Sequence, residues 1–226
     1  MDNRVNQTRI KAIYNGLGEL KDKVVFVGGS TVGFYSDTPQ IEARPTDDVD
    51  LVIEILNYAD HVKIDAVLRS IGFINDSNSS NIARYLYKGI TVDVLPTSGE
   101  NLGINTKWYL EGFKNAVVFE IDKSHPIRIF TAPYFLATKF EAFKDRGKGD
   151  GRTSQDFEDI VYILEHRKFV WDEIANSTVE IREYLISEFK TLLSNGNLFE
   201  WIDGHVERYS PPASYSIVEN IKIMVG

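Results

Sequence analysis

Three spacing patterns of apolar residues follow one another in the first 55 positions. Residues 3–22 carry apolar side chains at near-helical intervals, which predicts an opening helix. Positions 24–27 are all apolar and end at Gly28-Gly29-Ser30, as expected for a short buried strand. Over 48–55 the apolar residues occupy alternate positions. A second strand is therefore predicted, with Asp48, Asp50, Val52 and Glu54 on the face opposite to the alternating apolar residues.

The rest of the pattern separates a strand-rich first half from a helical second half. We predict a helix over 60–70, a short strand within 71–75, a hairpin over 82–87 and 90–95 with Lys88-Gly89 as its turn, and strands over 116–121 and 127–130. From residue 131 onward, helices are predicted over 132–146, 154–166, 172–194, 197–208 and 214–224. These elements indicate an α+β protein with a sheet domain over 1–130 and a helical domain over 131–226.

Composition excludes several kinds of site. The 226 residues include no cysteine, which excludes disulfides, thiolate zinc sites and cysteine nucleophiles. The net charge is −8, whereas proteins that bind nucleic acid through non-specific phosphate contacts are typically basic. No stretch reaches the roughly 18 apolar residues of a membrane span, and the N-terminal residues lack the apolar segment of a signal peptide. We expect a cytoplasmic protein with no membrane partner.

The turn at Gly28-Gly29-Ser30 is a candidate phosphate site. Glycine lets the backbone approach a ligand closely, and a turn between a strand and a helix offers N–H donors to an anion. Ser30 is placed either to cap the following helix or to donate to a phosphate oxygen. Because such turns are also common without a ligand, the sequence leaves a purely structural role open.

Three aspartates carry the stronger chemical signal. Asp48 and Asp50 share one strand face, and Asp93 interrupts an apolar run between Val92 and Val94, where a carboxylate needs a compensating partner. Mg²⁺ prefers carboxylate and phosphate oxygens, so we predict a site for two Mg²⁺ ions, with Mn²⁺ as the alternative ion, flanking an in-line displacement. In that arrangement Asp48 and Asp50 bridge the ions, and Asp93 helps to deprotonate the incoming hydroxyl group. The alternative is that the aspartates are solvated at strand ends and never converge.

The helical half carries a second set of charged residues. Lys139, Ala142 and Arg146 fall at i, i+3 and i+7, on one face of a predicted helix. A basic stripe of this kind suits a triphosphate, but it also suits a solvated face paired with neighbouring acids. Asp156 and Asp159 share a face of the next helix, and Asp156 falls in its first turn, where an acid complements the helix dipole.

These motifs resemble the DNA polymerase beta-like nucleotidyltransferase superfamily. The residues that carry the resemblance are Gly28-Gly29-Ser30, Asp48-Val49-Asp50-Leu51 and Val92-Asp93-Val94. Three segments resemble the AbiEii/AbiGii toxin-type branch of this superfamily. They are Arg44-Pro45-Thr46-Asp47-Asp48-Val49-Asp50-Leu51, Ala137-Thr138-Lys139-Phe140-Glu141-Ala142-Phe143 with Arg146, and Ser154-Gln155-Asp156-Phe157-Glu158-Asp159-Ile160. The similarity covers about residues 20–167, and the gap between Ser30 and Asp48 is longer than is usual in the superfamily.

The resemblance implies a mixed β-sheet that carries the aspartates and a helical C-terminal part that closes over the nucleotide. It also implies that Lys139 and one of Asp156 or Asp159 assist from the helical side, so the expected nucleotide-binding residues are Gly29, Ser30, Lys139, Asp156 and Asp159. The expected activity is transfer of a nucleoside monophosphate from an NTP to an RNA end such as a tRNA 3′ end, a protein hydroxyl or a small molecule. A toxin role in a toxin–antitoxin or phage-defence system, with a cognate antitoxin protein as partner, is implied by the resemblance alone.

Other function classes stay open at this point. An antibiotic nucleotidyltransferase should show an acidic pocket for a cationic drug. A glycosyltransferase would hold a nucleotide-sugar through an Asp-x-Asp pair and a metal, but the Gly-Gly-Ser turn and the third aspartate favour the nucleotidyltransferase. A nucleotide-binding module would keep the fold and lack turnover.

Overall fold

The fold is described from a computed structural model, for residues 3–38, 42–55, 58–79, 81–98, 105–208 and 212–226. The chain forms two compact units, Met1–Phe34 with Glu42–Thr131 and Tyr35–Ile41 with Ala132–Gly226. The first unit contains the strands, and the second is helical. A short segment from the first fifth of the chain thus belongs to the helical unit, which no sequence pattern indicates.

The first unit combines helices with a mixed sheet. Its elements among the described residues are α1 (Asn3–Gly16), a 3₁₀ helix (Gly18–Lys23), β1 (Val24–Val27), a second 3₁₀ helix (Gly29–Tyr35, ending in the second unit), β2 (Asp48–Ile53), α2 (Tyr58–Ser70), β3 (Ile74–Asn75), β4 (Arg84–Tyr87), β5 (Ile90–Pro96), α3 (Tyr109–Lys114), β6 (Val117–Glu120) and β7 (Pro126–Ile129). The described strands lie in the order β3-β4-β5-β2-β1-β7-β6. The pairs β2/β5 and β1/β7 are parallel and the others antiparallel. The α+β fold class and the mixed sheet are confirmed.

The register of three neighbouring strands places charged residues in one row. Asp50 of β2 lies beside Asp93 of β5, and Arg84 of β4 lies opposite Asp93 on the other side. Residues directly opposite in adjacent strands project from the same face. The predicted Lys88-Gly89 turn is confirmed, with φ of 49° and 80° at its two residues, the positive values that match a tight hairpin to the twist of its strands.

The sheet is embedded in an apolar core. All four residues of β1 are buried, so this strand is covered on both faces, as its wholly apolar sequence predicts. Helix α1 adds the buried side chains of Ile10 and Ile13, and Leu17, directly after the helix, is buried as well. Each fully buried aliphatic or aromatic side chain of this size contributes about 1.5–3 kcal/mol. The core therefore gives the strands that carry the charged row a rigid support.

The second unit packs around its own aromatic core. Its helices are α4 (Ala132–Arg146), α5 (Gln155–His166), α6 (Val170–Ala175), α7 (Val179–Leu193), α8 (Leu198–Asp203) and α9 (Ala213–Val225). Phe140 of α4 packs edge-on against Phe189 of α7, and Phe143 contacts Phe157 of α5. Helix α5 begins where predicted, because the Ser154 side chain accepts a hydrogen bond from the Phe157 N–H at 3.3 Å. No helix formed by the described residues is long and apolar enough to cross a bilayer.

Three predicted helices have different bounds in the structure. The opening helix over 3–22 is α1 up to Gly16, followed by a 3₁₀ helix, because Gly18 adopts a φ of +56°. The predicted helix over 172–194 is two helices, since the side chains of Asn176 and Ser177 donate hydrogen bonds to carbonyls at the end of α6 and stop it there. The predicted helix over 197–208 ends at Asp203, directly before Gly204.

Candidate active site

The glycine pair after β1 brings the backbone close to two charged side chains. Gly28 has a φ of +73°, and a Cβ at this position would collide with the Asp50 carboxylate. A Cβ at Gly29 would lie 2.6 Å from Arg44 Nη2. Gly28 therefore requires glycine because of its left-handed backbone, whereas a side chain at Gly29 would displace the Arg44 guanidinium.

Ser30 carries a buried hydroxyl group with free hydrogen-bonding capacity. The residue is buried, and its Oγ has no hydrogen-bond partner among the described residues. The turn is closed by Thr31 instead, whose N–H and Oγ1 donate to the Gly28 carbonyl at 3.1 and 2.9 Å. The predicted helix-capping role of Ser30 is therefore wrong. A buried hydroxyl without a partner is costly, so this site fits a ligand oxygen, and the phosphate contact of Gly29 and Ser30 stays a prediction.

The three aspartates converge on one face of the sheet. One carboxylate oxygen from each of Asp48, Asp50 and Asp93 lies within 4.8 Å of the other two. Around an octahedral Mg²⁺ ion with bonds of about 2.1 Å, opposite oxygens are about 4.2 Å apart and adjacent ones about 3.0 Å, so the three groups would close around an ion that they share. The cluster could therefore bind a metal ion, and the identity of that ion stays a prediction.

Helix α1 fixes the loop that leads into this cluster. The buried Asn6 accepts a hydrogen bond from the Thr46 N–H at 3.1 Å and donates to the Arg44 carbonyl at 3.1 Å. Thr46 Oγ1 in turn donates to the Asp48 carbonyl at 3.0 Å. Asp47 is exposed at the bend before β2. Asn6 and Thr46 are positioning residues that sequence reasoning missed, since the hydrogen bond between them joins residues 40 positions apart.

Arg84 is the second feature of the site that the sequence did not reveal. Its Nε donates to Asp93 Oδ1 and its Nη2 to Asp93 Oδ2, both at 2.8 Å, while Nη2 lies 3.5 Å from Asp48 Oδ2. The Asp93 side chain is 10% exposed and that of Arg84 31%. Hydrogen bonding to Asp93 raises the pKa of Arg84 against the opposing effect of burial, and the charges of Asp48 and Asp50 add to the rise. The guanidinium is therefore charged at any physiological pH.

The guanidinium also changes the charge balance of the cluster. Arg84 places one positive charge beside the carboxylates of Asp93 and Asp48. Two like charges about 4 Å apart repel by roughly 4 kcal/mol at an effective dielectric near 20. Arg84 offsets part of this repulsion, and it explains how Asp93 is tolerated inside an apolar strand.

The charged residues of the helical unit pair with one another. Lys139 Nζ lies 3.0 Å from Asp156 Oδ1 and 2.7 Å from Asp159 Oδ2, and its side chain is 6% exposed. Arg146 donates to both oxygens of Asp156 at 2.7 and 2.8 Å. Burial opposes both ionised forms, but the partners prevail: the two aspartates raise the pKa of Lys139, and Arg146 with Lys139 lowers that of Asp156 to about 2. The nucleotide contacts expected of Lys139, Asp156 and Asp159 stay predictions.

Comparison with known proteins adds support for the fold. No protein-family model matches the sequence, and no curated protein matches it significantly. Among solved structures, the chain is similar to the crystal structure of an antigenic nucleotidyltransferase-like protein from Paracoccidioides brasiliensis, with 16% sequence identity and a TM-score of 0.52 over 88% of this chain and 94% of that chain. At this identity the likeness concerns the fold, and the AbiEii/AbiGii branch stays a prediction. The chain thus has the α+β fold of a nucleotidyltransferase-like protein.

Proposed function

We propose that the protein is a divalent-metal-dependent nucleotidyltransferase that moves a nucleoside monophosphate from an NTP to an acceptor. The observation that carries the proposal is the convergence of Asp48, Asp50 and Asp93 on one face of the sheet. The likeness in fold to a nucleotidyltransferase-like protein supports it independently. The unpartnered hydroxyl of Ser30 adds a hydrogen-bonding site of the kind that a phosphate needs.

The proposed chemistry follows from the arrangement of the three aspartates and the glycine turn. Asp48 and Asp50 would hold the divalent cation, Mg²⁺ in the first place and Mn²⁺ as the alternative, and the bound cation supplies neutralisation of triphosphate charge. The acceptor hydroxyl oxygen forms a bond to the α-phosphorus while the bond from that phosphorus to the pyrophosphate oxygen breaks. Asp93 takes the proton of the hydroxyl group. The Gly29 N–H and the Ser30 hydroxyl donate to phosphate oxygens.

Labelled NTPs test this proposal. Purified protein is incubated with Mg²⁺ or Mn²⁺, with RNA, protein lysate or small-molecule acceptors, and with each NTP labelled at either the α- or the γ-phosphorus. We expect α-label in the acceptor and γ-label only in pyrophosphate. Asp48→Asn and Asp93→Asn should each lower transfer by about 100-fold or more, the order seen when one stabilising group of a transition state is removed. Asp47→Asn, a change at the exposed neighbour, is the matched control. Transfer that survives both cluster variants would refute the assignment.

The nature of the acceptor is part of the proposal. The net charge of −8 favours a protein or small-molecule acceptor over a long nucleic acid. The toxin role implied by the resemblance would additionally require a cognate antitoxin. Expression of the wild type without an antitoxin should then arrest growth and expression of Asp48→Asn should not. Equal growth of both strains would contradict the toxin role and leave the transfer reaction untouched.

A nucleotide-binding protein without turnover is the competing candidate. The observation that favours it is the pairing of Arg84 with Asp93, which occupies the carboxylate assigned to proton removal. The two candidates differ in one result. An NTP with Mg²⁺ should raise the melting temperature in both cases, because a ligand that binds the native state stabilises it. Only the enzyme should also transfer α-label.

A further inference from the structure

The Arg84 side chain donates to both carboxylate oxygens of Asp93, the same atoms that a metal ion would need as ligands. Two guanidinium nitrogens each lie 2.8 Å from a different oxygen of Asp93, a side-on fork that engages the whole carboxylate. The Nη2 group reaches 3.5 Å toward Asp48 Oδ2 as well, so the guanidinium extends along two of the three potential ligands. The charge of Asp50 also acts on the guanidinium.

An ion on Asp93 would come close to this guanidinium. A Mg²⁺–oxygen bond is about 2.1 Å long, and the same oxygen lies 2.8 Å from a guanidinium nitrogen, so the two cations would be at most about 5 Å apart. Partly buried charges at this distance are little screened by salt. The guanidinium would therefore repel an ion bound to Asp93.

We propose that Arg84 is an internal counter-ion that must release Asp93 before a second divalent ion binds the cluster. The inference rests on the proposed function, because it presumes that Asp48 and Asp50 hold a first ion. In the ion-free protein Arg84 stabilises the three carboxylates. The first ion binds on the Asp48 and Asp50 side, and the second competes with the guanidinium. Arg84 therefore sets the affinity for the second ion, and the two-ion site expected from the sequence forms only after the arginine has moved.

The surroundings of Arg84 allow this movement. Its side chain is 31% exposed, so it can turn toward solvent without uncovering the core. Its backbone is held in β4 between β3 and β5, which confines the change to the side chain. Asp93, by contrast, is nearly buried on the central side of the hairpin and stays in place as a ligand.

Direct Mn²⁺ titration tests the proposal, with free Mn²⁺ measured by electron paramagnetic resonance. The wild type should bind one ion tightly and a second one weakly. Arg84→Gln should bind the second ion at least about tenfold more tightly, a change that corresponds to ~1.4 kcal/mol. Its melting temperature should be lower than that of the wild type in EDTA and should rise more on addition of Mn²⁺. Arg69→Gln, which removes an exposed arginine that pairs with Asp65 on α2, should leave both affinities unchanged.

The outcomes separate the inference from the function on which it rests. Equal stoichiometry and affinities in the wild type and Arg84→Gln would overturn the role of Arg84 and leave the metal site standing. The absence of Mn²⁺ binding in both proteins would overturn the metal site and the inference with it. If Arg84→Gln does not fold, Arg84→Lys decides the question, since it keeps the charge and lacks the side-on fork. Its second-ion affinity should then exceed that of the wild type, and an equal affinity would overturn the proposal.

Discussion

Replacement of Lys139 by methionine should destabilise the helical unit strongly. Methionine keeps most of the length of the side chain and removes the ammonium group, so the change isolates the charge. In the wild type that group lies 3.0 Å from an oxygen of Asp156 and 2.7 Å from an oxygen of Asp159. Both aspartates are buried, so water cannot replace the lost contact without rearrangement.

The size of the effect can be worked out from the network. Removing one partner of a buried ion pair typically costs about 3–5 kcal/mol. Asp156 retains its two hydrogen bonds from Arg146, so we expect a value at the lower end of this range, about 3 kcal/mol. The matched control is Lys144→Met on the same helix. Lys144 also bridges two carboxylates, at 2.9 and 2.7 Å, but its side chain is 44% exposed, so its replacement should cost less than about 1 kcal/mol.

Urea unfolding followed by far-ultraviolet circular dichroism measures both variants. A loss of 3 kcal/mol lowers the urea midpoint by roughly 1–3 M for the slopes usual in small domains. The double variant Lys139→Met with Asp159→Asn should recover part of the loss, because the uncompensated charge is removed together with its partner. A cost for Lys139→Met no larger than that of Lys144→Met would refute the assignment of a buried, tightly coupled network. So would a double variant that is less stable than the single one.

Two further predictions concern the glycine turn and pH. Gly28→Ala should lower the free energy of unfolding by more than about 1 kcal/mol, because the left-handed φ is strained for alanine. It should also weaken Mn²⁺ binding, because the new Cβ collides with Asp50. The control is Gly18→Ala, at φ +56° with open space around it, which should show the strain alone and leave Mn²⁺ binding intact. Burial, aided by the nearby Glu207 charge, raises the pKa of Glu165 from 4.5 to about 7, and its side chain is 6% exposed. The native state thus holds this proton more tightly than the unfolded chain, so the stabilisation is full below pH 4.5 and is lost as pH rises through 7. The free energy of unfolding of Glu165→Gln, compared with that of the wild type, should therefore increase with pH, by up to about 3 kcal/mol above pH 7. Urea titrations that give the same difference at every pH would contradict this prediction.

The aspartate cluster illustrates how far sequence reasoning extends. The shared face of Asp48 and Asp50 follows from strand periodicity, which is a local property. The approach of Asp93 depends on the β2/β5 pairing, which no local pattern determines, and it was predicted because a carboxylate in an apolar run needs a compensating partner. Arg84 was missed although a signal for it existed. Arg84 and Asp93 are equidistant from the Lys88-Gly89 turn, so a predicted two-residue hairpin already places them opposite each other.

In the helical half, the sequence predicts which charged residues lie on the same helix face but not what surrounds them. Helical spacing correctly put Lys139 and Arg146 on related positions of α4, and it grouped Asp156 and Asp159 on one face of α5. The same spacing is compatible with a solvated stripe, a ligand site and a buried ion network. The three arrangements differ only in what packs against α4. Helical periodicity cannot predict this, because the packing of α4 on α5 is a tertiary contact.

The two-residue turn between β4 and β5 has a consequence for how this chain can diverge. Surface loops usually tolerate insertions, because a longer connection costs little free energy. Here one extra residue that shifted the strand pairing by a single position would send Arg84 to the opposite face of the sheet and exchange it for a neighbour of different chemistry. Asp93 would then face its fellow aspartates without a guanidinium. The length of this exposed turn thus sets the strand register, and through it the charges that surround a site several residues away. Selection for the pairing of Arg84 with Asp93 would therefore be seen as an absence of insertions in the turn.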